Sequence, residues 1–232
     1  MPLIAWWGDK IKEAVEINEY ISLADIAPTF LDAAGVFIPY ETSRKSFLPL
    51  IVPEKSSEQK ANRDFVVTHN ERHAWVHPGG QMAASRAIHM DDHPLIHNLF
   101  PDMWPAGHID AFYHWDLYPF GDADGGRAKT ELLKARFTRD SALFKLVFGK
   151  RPEFELYNVK ADPFNLSNLA DKEEFRCVKE KLQTTLYEYL LATNDPWLTG
   201  YTTIYYQAPC YAMKGLPTYD LFLEDWNSLD SL

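Results

Sequence analysis

The chain is expected to be an α/β protein: the end of a large, mostly parallel sheet with flanking helices, then a small C-terminal domain of antiparallel sheet packed by a helix. Three stretches carry that expectation. Residues 1–7, Met-Pro-Leu-Ile-Ala-Trp-Trp, are wholly apolar and stop at Gly8, the pattern of a strand buried on both faces. Residues 85–98 read as two short strands about a polar turn, which suits an antiparallel hairpin. Residues 171–192 repeat Phe175, Val178, Leu182, Leu186 and Tyr189 at three- and four-residue steps, the stripe of an amphipathic helix. A chain rarely begins on an innermost strand, so residues 1–80 read as the C-terminal part of the large domain and 81–232 as the small one.

Taken in order, residues 21–34 predict a helix capped by Ser22 or Asp25 and stopped at Gly35, with Ile26, Phe30, Leu31 and Ala34 as the stripe that covers the sheet. Residues 53–62 are a polar, charged connection and the best linker in the chain. Residues 63–68, Arg-Asp-Phe-Val-Val-Thr, form the next strand and deliver His69, Asn70, Glu71, Arg72 and His73 at its end. Ligands of open α/β sheets bind beyond the carboxyl ends of strands, which makes these five residues the candidate substrate-binding site. Residues 100–126 are a long loop rich in Pro, Gly and aromatics, and residues 130–149 give one or two amphipathic helices. Phe154, Leu156 and Val159 mark a short strand, Asp162-Pro163 turns it, and Asn168-Leu169-Ala170 opens the long helix. Residues 193–197 make a turn before an irregular aromatic tail with an acidic end.

Composition narrows the partners. A net charge of −10 over 232 residues argues against nucleic acid, which needs a basic surface. Residues 127–151 nevertheless hold eight Lys or Arg against Glu131 and Asp140, either two solvated helical faces or a place where a polyanion is attracted. All eight histidines fall between His69 and His114, with two runs at four-residue spacing. Pro78, Gly79, Gly80 and Pro94 interrupt any helix that could turn those runs into a metal site. Cys177 and Cys210 make no disulfide framework or zinc pattern. No stretch has the length of a membrane span, and no export signal is visible.

The order of these segments resembles the C-terminal part of sulfatases. Leu156, Tyr157, Asp162, Pro163, Asn168, Leu169 and Ala170 match the family's Leu-Tyr-Asp-Leu, Asp-Pro and Asn-Leu-Ala hallmark, with Asn158 and Asn165 where an acid is usual. Residues 1–12, 21–29 and 46–50 resemble its preceding segments. Arg86, Ala87, Ile88, Asp91, Ile96 and Asn98 match its hairpin, with histidines at several basic positions. Residues 69–72, 95–99 and 193–197 are most similar to the heparan N-sulfatase branch. The resemblance implies the alkaline-phosphatase-like sulfatase fold and hydrolysis of sulfate from a sulfated glycan, as an N-sulfate or a sulfate ester. It also implies export or a lysosomal setting, and a homodimer as one form of the intact protein. His69, Arg72 and His73 would then donate to sulfate or carboxylate, while Asn70 and Glu71 would hold sugar hydroxyls. The family nucleophile is a formylglycine made in Cys/Ser-x-Pro-x-Arg and assisted by calcium. Neither that motif nor the calcium segment occurs here, so the chain is expected to bind no cofactor and to be inactive alone, as the pocket rim of a longer enzyme. The other reading is a stand-alone module that binds sulfated glycans.

Overall fold

The computed structural model describes residues 3–11, 14, 16–38, 45–52, 63–71, 76–77, 81–107, 109, 119–202 and 205. The chain divides into two compact units, Met1–Val66 and Val67–Leu232.

In the first unit a capping box starts the helix. The Ser22 hydroxyl accepts from the Ala24 N–H and the Asp25 carboxylate accepts from the Ser22 N–H at 2.9 Å. A 3-10 turn, Leu23–Asp25, then runs into α1, Ile26–Ala33, which gives way to Gly35 at φ +68°. Such a left-handed position suits the one residue without a Cβ. The buried face of α1 is not the expected stripe. Phe30 is 69% exposed, while Asp25, Pro28 and Thr29 are buried. Polar satisfaction decides the face: Thr29 Oγ1 donates to the Asp25 carbonyl at 2.6 Å and accepts from the Phe47 N–H at 3.0 Å. The Asp25 carboxylate takes the Lys45 N–H at 3.1 Å and a two-pronged ion pair from Arg63. These bonds hold α2, Leu48–Ile51, against α1, with Phe47, Leu48 and Val52 buried.

The expected parallel sheet is not found among the described residues. Residues 3–7 are irregular, and Ile4 and Trp6 are 91% and 85% exposed. A strand buried on both faces needs a neighbour on each side, and the described residues supply none. The Pro53 to Asn62 linker lies outside the described residues.

The second unit is built on a four-stranded sheet, β1 (Phe65–Asn70, of which the first two residues belong to the first unit), β2 (Ser85–Met90), β3 (His93–Asn98) and β4 (Phe154–Leu156), in the order β1-β2-β3-β4. The β2/β3 and β3/β4 pairs are antiparallel. Asp91, at φ +51°, lies in the two-residue turn between β2 and β3. Register puts Arg86, Ile88, Leu95, His97, Phe154 and Leu156 on one face. That face meets α5, Arg176–Ala192, which buries Leu182, Leu186 and Leu190.

Helix α5 begins after a 3-10 turn at Glu173–Phe175, later than expected, and residues 168–170 open no helix. The Asn168 amide acts instead as a piece of strand. Its oxygen accepts from the Leu156 and Ala170 N–H groups at 2.9 Å each, and its nitrogen donates to the Phe154 carbonyl at 3.0 Å. The free edge of β4 is thereby satisfied. Before it, Asp162 accepts from the N–H groups of Leu166 and Ser167 at 2.7 and 2.8 Å, and Asn165 takes φ +52°.

The long loop and the basic stretch form a second core. Helices α3 (Arg127–Ala135) and α4 (Ser141–Phe148) pack with Phe120, which is fully buried with Phe144 and Phe148 and ringed by Trp104, Leu132 and Leu133. The Lys129 ammonium caps the loop, donating to the carbonyls of Phe120 and Ala123 at 3.0 and 2.8 Å.

Leu186 is 1% exposed at the centre of the α5 face. Leu186→Ala is expected to lower the unfolding free energy of the second unit by about 2–5 kcal/mol. The urea midpoint at constant m-value reads this loss; a change below about 0.5 kcal/mol would mean that α5 does not close the core.

Candidate functional site

Strand β1 extends two residues beyond the expected span and carries His69 and Asn70 as its last, exposed residues. Glu71 follows and turns inward. Its Oε1 accepts from Arg86 Nη2 at 2.6 Å and its Oε2 from the Trp197 indole N–H at 2.8 Å. Arg86 is 1% exposed, in a register position that faces α5. Its Nε donates to Asp195 Oδ2 at 2.7 Å and its Nη1 to the Ser85 carbonyl at 2.9 Å. Burial works against the charged guanidinium, but the hydrogen bonds and charges of Asp195 and Glu71 outweigh it, so its pKa is raised.

Asp195 is itself fixed by helix geometry. It is the N-cap of α6, Pro196–Thr199, and accepts from the Trp197 N–H at 3.0 Å. Trp197 meets Phe100 edge-on at 5.0 Å and stacks on Tyr205 at 5.9 Å. Burial, then the Glu71 charge, pushes the Tyr205 phenol up.

The structure thus places three of the five expected residues. His69 and Asn70 face solvent at the strand end, and Glu71 ties that end to β2 and α6. Arg72 and His73 lie outside the described residues. Arg86, Asp195 and Trp197 were not among the expected site residues. The signal for Arg86 was its place in the alternation Arg86, Ile88, Met90, which makes it inward-facing and so in need of carboxylates. Asp195 lies in the 193–197 turn that the sequence singled out, but nothing local pairs it with Arg86, 109 residues away.

The hairpin histidines are drawn into packing. His97 stacks on Phe154 at 4.5 Å and lies edge-on to Tyr187, whose hydroxyl is 3.3 Å from Nδ1, while Nε2 is 3.8 Å from Glu153. Burial lowers its pKa below the ordinary 6.5, with Glu153 opposing, and burial alone lowers that of His89. Among the described residues, no three His, Cys, Asp or Glu side chains could together hold a metal ion.

Known proteins are similar to parts of this chain. Residues 1–105 match the family model described as N-sulphoglucosamine sulphohydrolase, C-terminal. They span β1, Glu71 and the β2/β3 hairpin. The chain is 22% identical over 195 residues to an ulvan-active sulfatase of Formosa agariphila, an alignment that covers 84% of this chain and 34% of that protein. The chain therefore spans about a third of the length of that relative. Two solved structures are similar at a low level. One is a protein in complex with its substrate, D-glucosamine-2-N,6-O-disulfate, at 22% identity and TM-score 0.41, covering 74% of this chain and 24% of that one. The other is the phosphonate monoester hydrolase of Agrobacterium radiobacter, at 15% identity and TM-score 0.43, covering 74% and 25%. Residues 1–105 are similar in sequence to the C-terminal domain of sulfatases.

Two outcomes are expected. Arg86→Met leaves Glu71 and Asp195 without their cation and should cost about 3–5 kcal/mol, with a shift in Trp197 fluorescence; an unchanged melting temperature and spectrum would rule out the clamp. The histidines set a pH dependence whose sign follows from their lowered pKa values. Above 6.5 the folded and unfolded chains are both neutral at these sites, and nothing is lost. As pH falls through 6.5 the unfolded chain takes up protons first, so stability drops until the lower folded-state values are passed. The urea midpoint should therefore fall between about pH 7.5 and 5.5, above the range of ordinary carboxylates, and His89→Gln should flatten that slope. A midpoint flat across the window would show that the histidines titrate freely.

Proposed function

We propose that this chain is the substrate-rim part of a sulfatase-type hydrolase that removes sulfate from a sulfated glycan, with N-sulfated glucosamine as the first linkage to test. The observation that carries the reading is the exposed His69-Asn70 end of β1, held by the Glu71–Arg86–Asp195 clamp inside the stretch that matches the sulfatase C-terminal model. The 22% relative, named for activity on ulvan, supports a sulfated polysaccharide as the substrate class.

The roles follow from the side chains. The Asn70 amide offers a donor and an acceptor to a sugar hydroxyl, and His69, with Arg72 and His73 beyond it, offers donors to sulfate oxygens. Glu71 is a positioning residue, since both of its oxygens are engaged within the protein. Nucleophilic attack on sulfur is assigned to no residue here, because neither Cys177 nor Cys210 stands in Cys-x-Pro-x-Arg.

The test is sulfate release from N-sulfoglucosamine and from O-sulfated oligosaccharides by the complete polypeptide that carries this segment. Release is expected from at least one class. Asn70→Ala and Arg72→Ala are expected to raise KM by about tenfold, the loss of one good hydrogen bond or charge contact, with a smaller change in kcat. No release from either class would overturn the hydrolase reading, and an unchanged KM in both variants would remove the rim role.

A further inference from the structure

Positive charge in this protein is segregated. Residues 127–151 carry a surplus of six positive charges, eight basic against two acidic, which leaves −16 on the rest of a chain whose total is −10. In the structure this stretch is α3, α4 and the residues that follow, and Lys134, Arg136, Arg139, Lys145 and Lys150 are exposed. Lys134 pairs with Glu131; no carboxylate partner of Arg136, Arg139, Lys145 or Lys150 is found among the described residues.

The cations are arranged around aromatic surface. The Arg136 guanidinium lies 5.1 Å from the Phe137 ring centre and 5.8 Å from that of Phe144, and the Lys150 ammonium lies 5.8 Å from Trp104. Phe137 is 81% exposed, and Leu143, Leu146 and Val147 line the outward side of α4. Trp104 and Phe144 both touch Phe120. Arg136 and Lys150 therefore sit on the rim of one packed aromatic cluster.

We propose that the α3–α4 surface is a second binding surface for the sulfated glycan, separate from the rim at β1, which holds the polysaccharide while one sugar is presented to the rim. The inference rests on the reading of a sulfated polysaccharide as substrate. A polyanion is repelled by the rest of an acidic protein and attracted only where cations are massed within a screening length, about 8 Å at physiological salt. Sulfates meet the exposed guanidinium and ammonium groups, while Phe137 and the outer side chains of α4 give the C–H faces of the sugars an apolar floor.

The experiment measures binding of a heparin hexasaccharide to the full chain by isothermal titration, with a hyaluronan hexasaccharide as the unsulfated control. Affinity for heparin should fall steeply as salt rises, and Arg136→Glu combined with Lys145→Glu should weaken it about tenfold or more, whereas the charge reversal Lys160→Glu, at an exposed lysine outside this surface, should not. Heparin binding that ignores both the charge reversal and the salt would overturn the proposal. So would equal binding of hyaluronan, or loss of the chain to phosphatidylglycerol vesicles while heparin is left unbound. The two readings fail separately. Heparin held at α3–α4 without sulfate release by the complete polypeptide removes the hydrolase; sulfate release without heparin binding at α3–α4 removes this surface.

Discussion

The second unit depends on one buried guanidinium. Arg86 lies among the core side chains that α5 covers, where an unpaired charge would cost several kcal/mol. Its position is tenable only because Glu71 arrives from the end of β1 and Asp195 from the start of α6. The demand runs both ways, since each carboxylate is fixed by what it satisfies. Glu71 sets where β1 stops and Asp195 sets where α5 hands over to α6. A lysine could not replace it. Three nitrogens donate in three directions, to Asp195, Glu71 and the Ser85 carbonyl, and only a planar fork does so from one rotamer. The exposed side chains of His69 and Asn70 are pre-placed because the residue after them cannot move.

The first unit is organised in the same way around a carboxylate. Asp25 gathers the start of α1, the Lys45 N–H that leads into α2, and Arg63 just before β1. Its apolar core is small, so polar satisfaction chooses which side of α1 is buried, and Phe30 is left outside. That is why the apolar stripe of α1 points to the wrong face. Such a stripe predicts the buried side of a helix only where apolar burial outweighs the demands of polar groups, and here four backbone or side-chain donors from three residues to one carboxylate prevail over it.

Elements whose pattern is local were legible: the β2/β3 hairpin, the two basic helices and α5 follow from periodicity and turn chemistry. Elements decided by distant neighbours were not. Residues 3–7 have the composition of a buried strand but no strand beside them among the described residues. Asn168 looks like a helix opening because Asn-Leu-Ala suits a first turn, yet its amide can substitute for a strand and β4 offers the free edge. In the candidate site the strand-end position of His69 and Asn70 was readable, since β-alternation and the end of a strand are local facts. The clamp beneath it was not, because Glu71 meets Arg86 and Trp197 across 15 and 126 residues.

The sulfatase resemblance puts basic residues where this hairpin has His89 and His97, and the physical environment shows what that exchange does. Both histidines are held toward the neutral form by burial, His97 between Phe154 and Tyr187. The remaining arginine of β2 is spent on two carboxylates within the protein. Strands β2 and β3 therefore project little positive field at neutral pH, although their pattern resembles that of an anion-binding hairpin. Because field strength decays within a screening length, these strands would give any polyanion little attraction, and positive field must come from cations elsewhere on the surface. The largest such group among the described residues is the one on and around α3 and α4, where Arg136, Arg139, Lys145 and Lys150 have no carboxylate partner among those residues.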